Sequence, residues 1–347
     1  MSYGIGIVGT GLIAEFHARA LGQVEGAQLA AVMSRSADRA EEFGRRFGCR
    51  GYDSLKSLLA DPEVEIVSIC TPSGAHLEPA LEAIAAGRHL IIEKPLEISL
   101  ERCDRILEAA EKRGVLVSGI FQSRFSNSAR VLKQAVETGR FGRPVLGDAY
   151  VKWYRSQEYY DQGGWKGTRR FDGGGALMNQ SIHAVDLLQW YMGPVRSVQA
   201  VTACLGHERI EVEDTAAAVL EFASGACGVI EGSTAVFPGF FKRIEICGTR
   251  GSAILEEENL VHWRFEEETE EDKAIRSRHS GGSGGGGGVA DPAAISHEGH
   301  KRQFQDFVNA LNEDRPPLID AAEARKSVAI ILAVYESAES GKKVLLS

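Results

Sequence analysis

Up to about Ile120 the apolar positions come in short unbroken runs, each followed by a stretch with helical spacing. Tyr3-Gly4-Ile5-Gly6-Ile7-Val8 leads into a predicted helix over 14–21. Leu29-Ala30-Ala31-Val32-Met33 leads into helices over 37–47 and 54–60. The run 66–70 precedes a helix over 77–86, and Leu90-Ile91-Ile92 precedes one over 100–113 and a last strand over 115–120. Runs without alternation mark strands buried on both faces, and their regular exchange with helices predicts a parallel, doubly wound sheet. Ligands of such sheets lie beyond the carboxyl ends of the strands.

From about Phe125 the pattern changes. A helix over 129–137 is followed by strand-like runs over 145–154, 195–205, 214–222, 227–235, 243–247 and 252–256. Arg243-Ile244-Glu245-Ile246 alternates, as in an antiparallel strand with one wet face. Helices are expected over 176–192, 301–311 and 321–340. The expected fold is α/β, with an N-terminal doubly wound Rossmann domain over 1–124. A C-terminal α+β domain over 125–347 is built on a large open, mostly antiparallel sheet. The final helix, 321–340, has the option of packing back on the first domain. An open sheet needs a cover on its second face, so a homodimer or homotetramer is expected.

A length of 347 residues suits two domains. The net charge of −9 argues against nucleic acid as a partner. There is no apolar run long enough for a membrane span and no N-terminal signal-peptide pattern. Six scattered cysteines form no C-x-x-C pair, which speaks against zinc and for a reducing, cytoplasmic setting. The acidic run 266–272 and the glycine run 281–288 read as a solvated surface loop, or alternatively as a flap over the cleft.

The candidate chemistry begins at Gly9-Thr10-Gly11-Leu12-Ile13-Ala14, a G-x-G-x-x-A turn between strand and helix. Gly9 permits the turn, and Gly11 offers no side chain to obstruct a pyrophosphate. Ala14 allows close packing, and the helix N-terminus presents free N–H groups. This is a dinucleotide site in the making. The second strand ends in Ser34-Arg35, where an NAD site is expected to carry an acidic residue that reads the ribose. A hydroxyl and a guanidinium suit a 2′-phosphate, so the cofactor is NADP or NAD, leaning towards NADP. Two further strand ends carry Thr71-Pro72-Ser73 and Glu93-Lys94-Pro95 and are expected to converge on the same cleft.

These motifs, in this order, resemble those of the glucose-fructose oxidoreductase / inositol dehydrogenase / rhizopine-catabolism family of NAD(P)-dependent oxidoreductases. The resemblance rests on Gly9-x-Gly11-x-x-Ala14, Thr71-Pro72-Ser73 with His76, Glu93-Lys94-Pro95, and Gly173-Gly174-Gly175 followed by Asn179, His183 and Asp186. It covers nearly the whole chain. It implies hydride transfer between nicotinamide and a hydroxyl-bearing carbon of a sugar, cyclitol or related polyol. Gly9, Thr10, Gly11, Leu12, Ile13, Ser34, Arg35, Thr71, Pro72, Ser73, His76, Glu93, Lys94 and Gln122 are the expected cofactor residues. A dinucleotide-binding regulator of the same fold is the alternative, and retention of Lys94 and His183 argues against it.

Oxidation of a CH–OH carbon needs a group to take the hydroxyl proton. Lys94, His183 and Asn179 are the candidates for catalysis. Spacing puts Asn179, His183 and Asp186 on one face of a helix, where Asp186 is placed to orient the imidazole. The family usually has Asp where this chain has Asn179. An amide accepts and donates hydrogen bonds but takes no proton, so proton transfer falls to His183 with Lys94. Arg124, Trp153 and Trp165, with Lys94, Asn179 and His183, are the candidate substrate contacts. Tyr154, Arg155, Tyr159, Tyr160, Lys166 and Arg169 widen that polar and aromatic set, and His297 and His300 are further candidates for the cleft.

Overall fold

The computed structural model describes residues 2–162, 164–279 and 296–346. The chain divides into two units, residues 1–122 with 296–328, and residues 123–295 with 329–347.

The first unit holds strands β1 (Tyr3–Val8), β2 (Ala27–Met33), β3 (Arg50–Tyr52), β4 (Ile66–Ile69), β5 (His89–Ile92) and β6 (Val117–Gly119). They form one parallel sheet in the order β3-β2-β1-β4-β5-β6. The unbroken apolar runs are explained by burial on both faces: Ile5, Ile7, Ile66, Val67, Ile69 and Leu90 are inaccessible to solvent. The flanking helices start and stop where the chain encodes it. Ser36 and Ser99 accept the N–H of Arg39 and Arg102 at the starts of Ala37–Phe47 and Leu100–Arg113. Gly48 and Gly114 close the same helices in the left-handed region.

This unit also claims residues from the far end of the chain, which corrects the expected division at 124/125. Helix Glu298–Asn312 packs Phe304, Phe307 and Val308 into one core with Ile5, Ile7, Ala18 and Leu21. Gln303 seals the junction: its Nε2 donates to the Gly119 carbonyl at 2.7 Å, and its Oε1 accepts the Phe121 N–H at 3.0 Å. Arg325 pairs with Asp104 at 2.5 Å. The final helix, Ala321–Ser340, is divided between the units after Val328.

The second unit holds β7 (Pro144–Lys152), β8 (Val195–Ala203), β9 (Thr215–Phe222), β10 (Cys227–Ser233), β11 (Arg243–Gly248), β12 (Gly251–Glu256), β13 (Asn259–Phe265) and β14 (Val344–Leu345). Their order is β13-β12-β11-β7-β10-β9-β8-β14. Only the β7/β10 pairing is parallel. β13 and β14 go beyond the expected strands. Along β9, Ala216, Ala218, Leu220 and Phe222 are buried while the intervening Val219 is 60% exposed. Helix Ile182–Met192 packs on β7 and β11 of this unit.

The acidic run corrects a second expectation. It enters helix Glu270–His279, and Asp272 is buried. Burial opposes ionisation of Asp272. Donors from Arg140, Thr269 and Trp263 overcome that and hold the carboxyl well below the usual carboxylate range. The glycine run 281–288 lies outside the described residues. Among the described residues no helix is long and apolar enough to cross a membrane.

Candidate active site

All strands of the first sheet point the same way, so their carboxyl ends share one edge. That edge carries Gly9-Thr10-Gly11 after β1, Ser34-Arg35 after β2, Thr71-Pro72-Ser73 after β4 and Glu93-Lys94-Pro95 after β5. Gly9 has φ +117°, and a Cβ there would meet the Cys70 carbonyl at 2.7 Å. A Cβ on Gly11 would meet nothing within 4 Å. Helix Leu12–Leu21 begins at Gly11 with no side-chain cap, so its first N–H groups stay available for an anion. Glu15, in that first turn, is neutralised by a two-pronged pair with Arg46 at 2.8 and 2.9 Å. Leu12 is exposed, and Thr10 and Ile13 are half-buried. Beyond β6, the buried Gln122 Oε1 has no partner among the described residues. These residues fit a dinucleotide.

The tip of β2 carries no carboxylate. The Ser34 hydroxyl accepts from the Thr10 hydroxyl at 3.4 Å and from the Ser36 N–H at 3.3 Å, and Arg35 is exposed. Ser34 itself is 9% exposed.

Several expected cofactor residues work from behind this edge. His76 is buried, with Nδ1 at 2.9 Å from the Pro95 carbonyl and Nε2 at 3.0 Å from that of Thr71. It ties the Thr71-Pro72-Ser73 turn to the Lys94-Pro95 turn, whose peptide bond is cis. The Thr71 hydroxyl donates to the Ala75 carbonyl, and Ser73 is buried. Glu93 is buried too, and its Oε1 lies 2.8 Å from His17 Nε2. Its Oε2 accepts the Lys94 N–H at 3.0 Å. His17 Nδ1 in turn lies 2.8 Å from the Ser68 hydroxyl. His300, a candidate for the cleft, is buried on the same cluster, its Nε2 3.7 Å from Glu93 Oε1. His297 lies on the surface against Gln23. Burial lowers the His17 pKa against the pull of Glu93. Burial pushes Glu93 up, but contacts from His17 and His300 prevail and leave it well below its usual range.

In the second unit the expected helix over 176–192 is two pieces. A π turn, Ala176–Ser181, precedes the α-helix Ile182–Met192. Glu213 organises its start by accepting the N–H groups of Gly175 and Leu177 at 2.9 and 2.8 Å and the Tyr335 hydroxyl at 2.9 Å. A Cβ on Gly175 would meet the Glu213 carbonyl at 1.8 Å, which explains a glycine there. The widened turn carries Asn179, so Asn179 and His183 do not follow plain α spacing. π turns of this kind recur at functional sites.

Around that turn lies a polar cluster. Asn179 Nδ2 donates to Asp172 Oδ1 at 2.5 Å. Gln180 Nε2 donates to Asn179 Oδ1 and to the Tyr159 hydroxyl, while Gln180 Oε1 accepts from Arg155 at 3.0 Å. Lys166 Nζ stands 3.8 Å over the Tyr159 ring. Burial lowers the Lys166 pKa, the Arg155 charge adds to that, and Asp172 opposes it. Trp153 is buried, with the Arg155 guanidinium 5.2 Å from its ring, and its indole N–H has no partner among the described residues. Trp165 and His183 are half-buried. The Tyr160 hydroxyl is engaged with that of Thr234, and Arg169 is tied to Glu211.

One expectation is corrected here. Arg124, expected at the substrate, is 1% exposed and grips Asp186 with Nε and Nη2 at 2.7 and 2.6 Å. Both carboxylate oxygens of Asp186, expected to orient His183, take part in that pair. Sequence spacing places residues on a helix face but says nothing of a buried arginine reaching in from another element. Asp172, Glu213 and Tyr335 were not foreseen at all. For Asp172 the signal was present: a carboxylate directly before Gly173-Gly174-Gly175.

Comparison with known proteins identifies the family of the fold. Residues 3–121 match the oxidoreductase family with an NAD-binding Rossmann fold, and residues 129–254 match the GFO/IDH/MocA C-terminal domain. Myo-inositol 2-dehydrogenase of Thermotoga maritima is 27% identical over 99% of this chain and 98% of its own length. The WlbA dehydrogenase of Bordetella pertussis, solved with NADH and UDP-GlcNAcA, is 32% identical with a TM-score of 0.89, covering 100% of this chain and 99% of that one. Its counterpart from Chromobacterium violaceum, solved with the same two ligands, is 34% identical with a TM-score of 0.89, covering 100% and 96%. The chain belongs to the Gfo/Idh/MocA family of NAD(P)-dependent oxidoreductases.

Proposed function

We propose that this family member is a dehydrogenase acting on a CH–OH carbon of a sugar that carries a negative charge. The observation behind the charge is the cationic pair Arg155 and Lys166 beside Asn179 and Gln180, both in or next to an aromatic wall of Trp153 and Tyr159. Guanidinium and ammonium groups suit a carboxylate or phosphate, and the aromatic faces suit a sugar ring. The relatives from Bordetella and Chromobacterium, solved with UDP-GlcNAcA, make a nucleotide-linked uronic acid the first compound to test. Inositols and neutral sugars follow, on the precedent of the Thermotoga relative.

In this reading Gly9, Thr10, Gly11, Leu12 and Ile13 hold the pyrophosphate, with Ser34 and Arg35 at the adenosine ribose. A bound nicotinamide supplies the hydride acceptor or donor. Lys94 hydrogen-bonds the reacting oxygen and stabilises negative charge as it develops there. His183 takes the hydroxyl proton during oxidation and returns it during reduction. Asn179 binds a hydroxyl of the same substrate. The missing carboxylate at the tip of β2 supports NADP over NAD, whereas the two solved relatives hold NADH. Six free cysteines suit a cytoplasmic setting.

The functional test is a panel of UDP-GlcNAcA, free uronic acids, inositols and neutral sugars with NAD and NADP, followed by absorbance of the reduced nicotinamide. Tight cofactor binding with no turnover anywhere on the panel would move the regulator reading ahead.

A further inference from the structure

Asp172 sits in the second unit with 1% of its surface exposed, at the foot of the glycine segment that leads into the π turn. Its Oδ2 accepts the Gly167 N–H at 2.8 Å, and its Oδ1 accepts Asn179 Nδ2 at 2.5 Å. An ionised carboxylate only accepts, so the Asn179 amide has one orientation: NH2 towards Asp172, oxygen away from it. The oxygen is turned towards Gln180 Nε2 at 3.2 Å, and Gln180 is tied to Tyr159 and Arg155. A lone asparagine in a polar pocket presents either end of its amide. This one is held with its acceptor on the side away from Asp172, towards Gln180.

We propose that Asp172 is a positioning residue for substrate: it fixes Asn179 as a hydrogen-bond acceptor for a substrate hydroxyl, and it keeps next to Asn179 the negative charge that an amide lacks. The assignment rests on the dehydrogenase reading given above. It accounts for how an amide serves at this place in the helix, four residues before His183. Asp172 and Asn179 form a two-residue unit in which carboxylate and amide have divided the work. The Gly167 contact belongs to the same device, because it holds the second carboxylate oxygen while the first accepts from Asn179.

The chemistry makes a sharp test by exchange. In Asp172→Asn the amide oxygen stays with Gly167 N–H and its NH2 meets Asn179 Nδ2, so Asn179 turns over and sets its own NH2 against Gln180 Nε2. In Asn179→Asp two carboxylates face each other at hydrogen-bond distance and do not both ionise without penalty. In the double variant D172N/N179D the two groups trade places. The amide oxygen now at position 172 accepts from Gly167, and the NH2 of the same amide donates to the carboxylate now at position 179. The bond from Gly167 and the bond between the two side chains are restored with the roles reversed.

The experiment uses the full-length protein, the best substrate of the panel, and two readouts. Each single variant is expected to lower kcat about 10–100-fold, as for loss of a hydrogen bond to a charged group. Cofactor affinity, set in the first unit, is expected to be unchanged. The double variant is expected to recover most of that loss. The second readout is thermal unfolding against pH, which needs no substrate. Asn179→Asp is expected to lose stability as pH rises above the carboxylate range, and the double variant to regain it. Wild-type kcat in Asp172→Asn, or a double variant no better than the worse single one, overturns the proposal. So does an Asn179→Asp protein whose stability shows no added pH dependence. If wild type turns over nothing on the panel, the dehydrogenase reading falls and the substrate role with it, while unfolding still decides whether the two side chains are paired.

Discussion

His17 Nε2 lies 2.8 Å from Glu93 Oε1, and the other oxygen of the same carboxylate takes the N–H of Lys94. The ring, held at its far nitrogen by Ser68, thus sets the carboxylate, and the carboxylate sets the backbone from which Lys94 departs. His300 closes the cluster on the third side. Three titratable groups buried together tie the helix after the glycine turn to the strand end that carries Lys94.

Acidification should destabilise the protein through this cluster. Folding depresses His17 below 6.5, chiefly through burial, and depresses Glu93 below 4.5, where its histidine contacts outweigh burial. A depressed value in the folded state means that the unfolded chain binds more protons. The stabilisation is therefore present above the unfolded values and is lost as pH falls through the folded ones. The melting temperature should drop from neutral pH towards about pH 4, with the first part of the drop due to His17. In His17→Gln that first part should vanish; an unchanged slope near pH 6 would count against the assignment.

Lys94→Ala should lower turnover by roughly 10²–10⁴-fold, the range for loss of a group that acts on the reacting proton or oxygen. Dinucleotide affinity by calorimetry should stay close to wild type, because the phosphates are assigned to the Gly9-to-Ile13 turn. Full activity in this variant would sink the catalytic role.

Calorimetry with both cofactors should find NADP bound more tightly than NAD. Arg35→Ala should weaken NADP selectively, and Ser34→Asp should reverse the order by placing a carboxylate where the 2′-phosphate would lie. Equal losses for the two cofactors would remove Arg35 from the ribose site.

Breaking the Arg124–Asp186 pair should be costly to the fold. Asp186→Asn removes the carboxylate that the buried guanidinium grips, and loss of one partner from a buried pair costs about 3–5 kcal/mol. Denaturant midpoints would reveal it. A change below about 1 kcal/mol, the range of exposed pairs, would mean that water reaches the site.

The exposed face of the second sheet presents Leu146, Val201 and Val219. A second copy is expected to cover it, and light scattering should give two or four times 37.5 kDa. Val219→Glu should shift the mass downwards. A single-chain mass for wild type would refute the assembly.

What the sequence determined by itself was periodicity and local chemistry. Unbroken apolar runs such as Ile66 to Cys70 revealed a sheet buried on both faces, and the alternation around Arg243 to Ile246 revealed one with a wet face. Gly9 disclosed the turn because its positive φ and the nearby Cys70 carbonyl leave no room for a Cβ, and Gly11 leaves open space beside it. Tertiary structure decided which distant side chains meet. Nothing local announces that Phe304 and Phe307 return to the first core, or that Arg124 reaches Asp186. Nor does spacing show that a π turn sets Asn179 against Asp172. A side chain's partner is chosen by competition among all the groups that packing brings within reach, and that competition is settled only when the whole chain has folded.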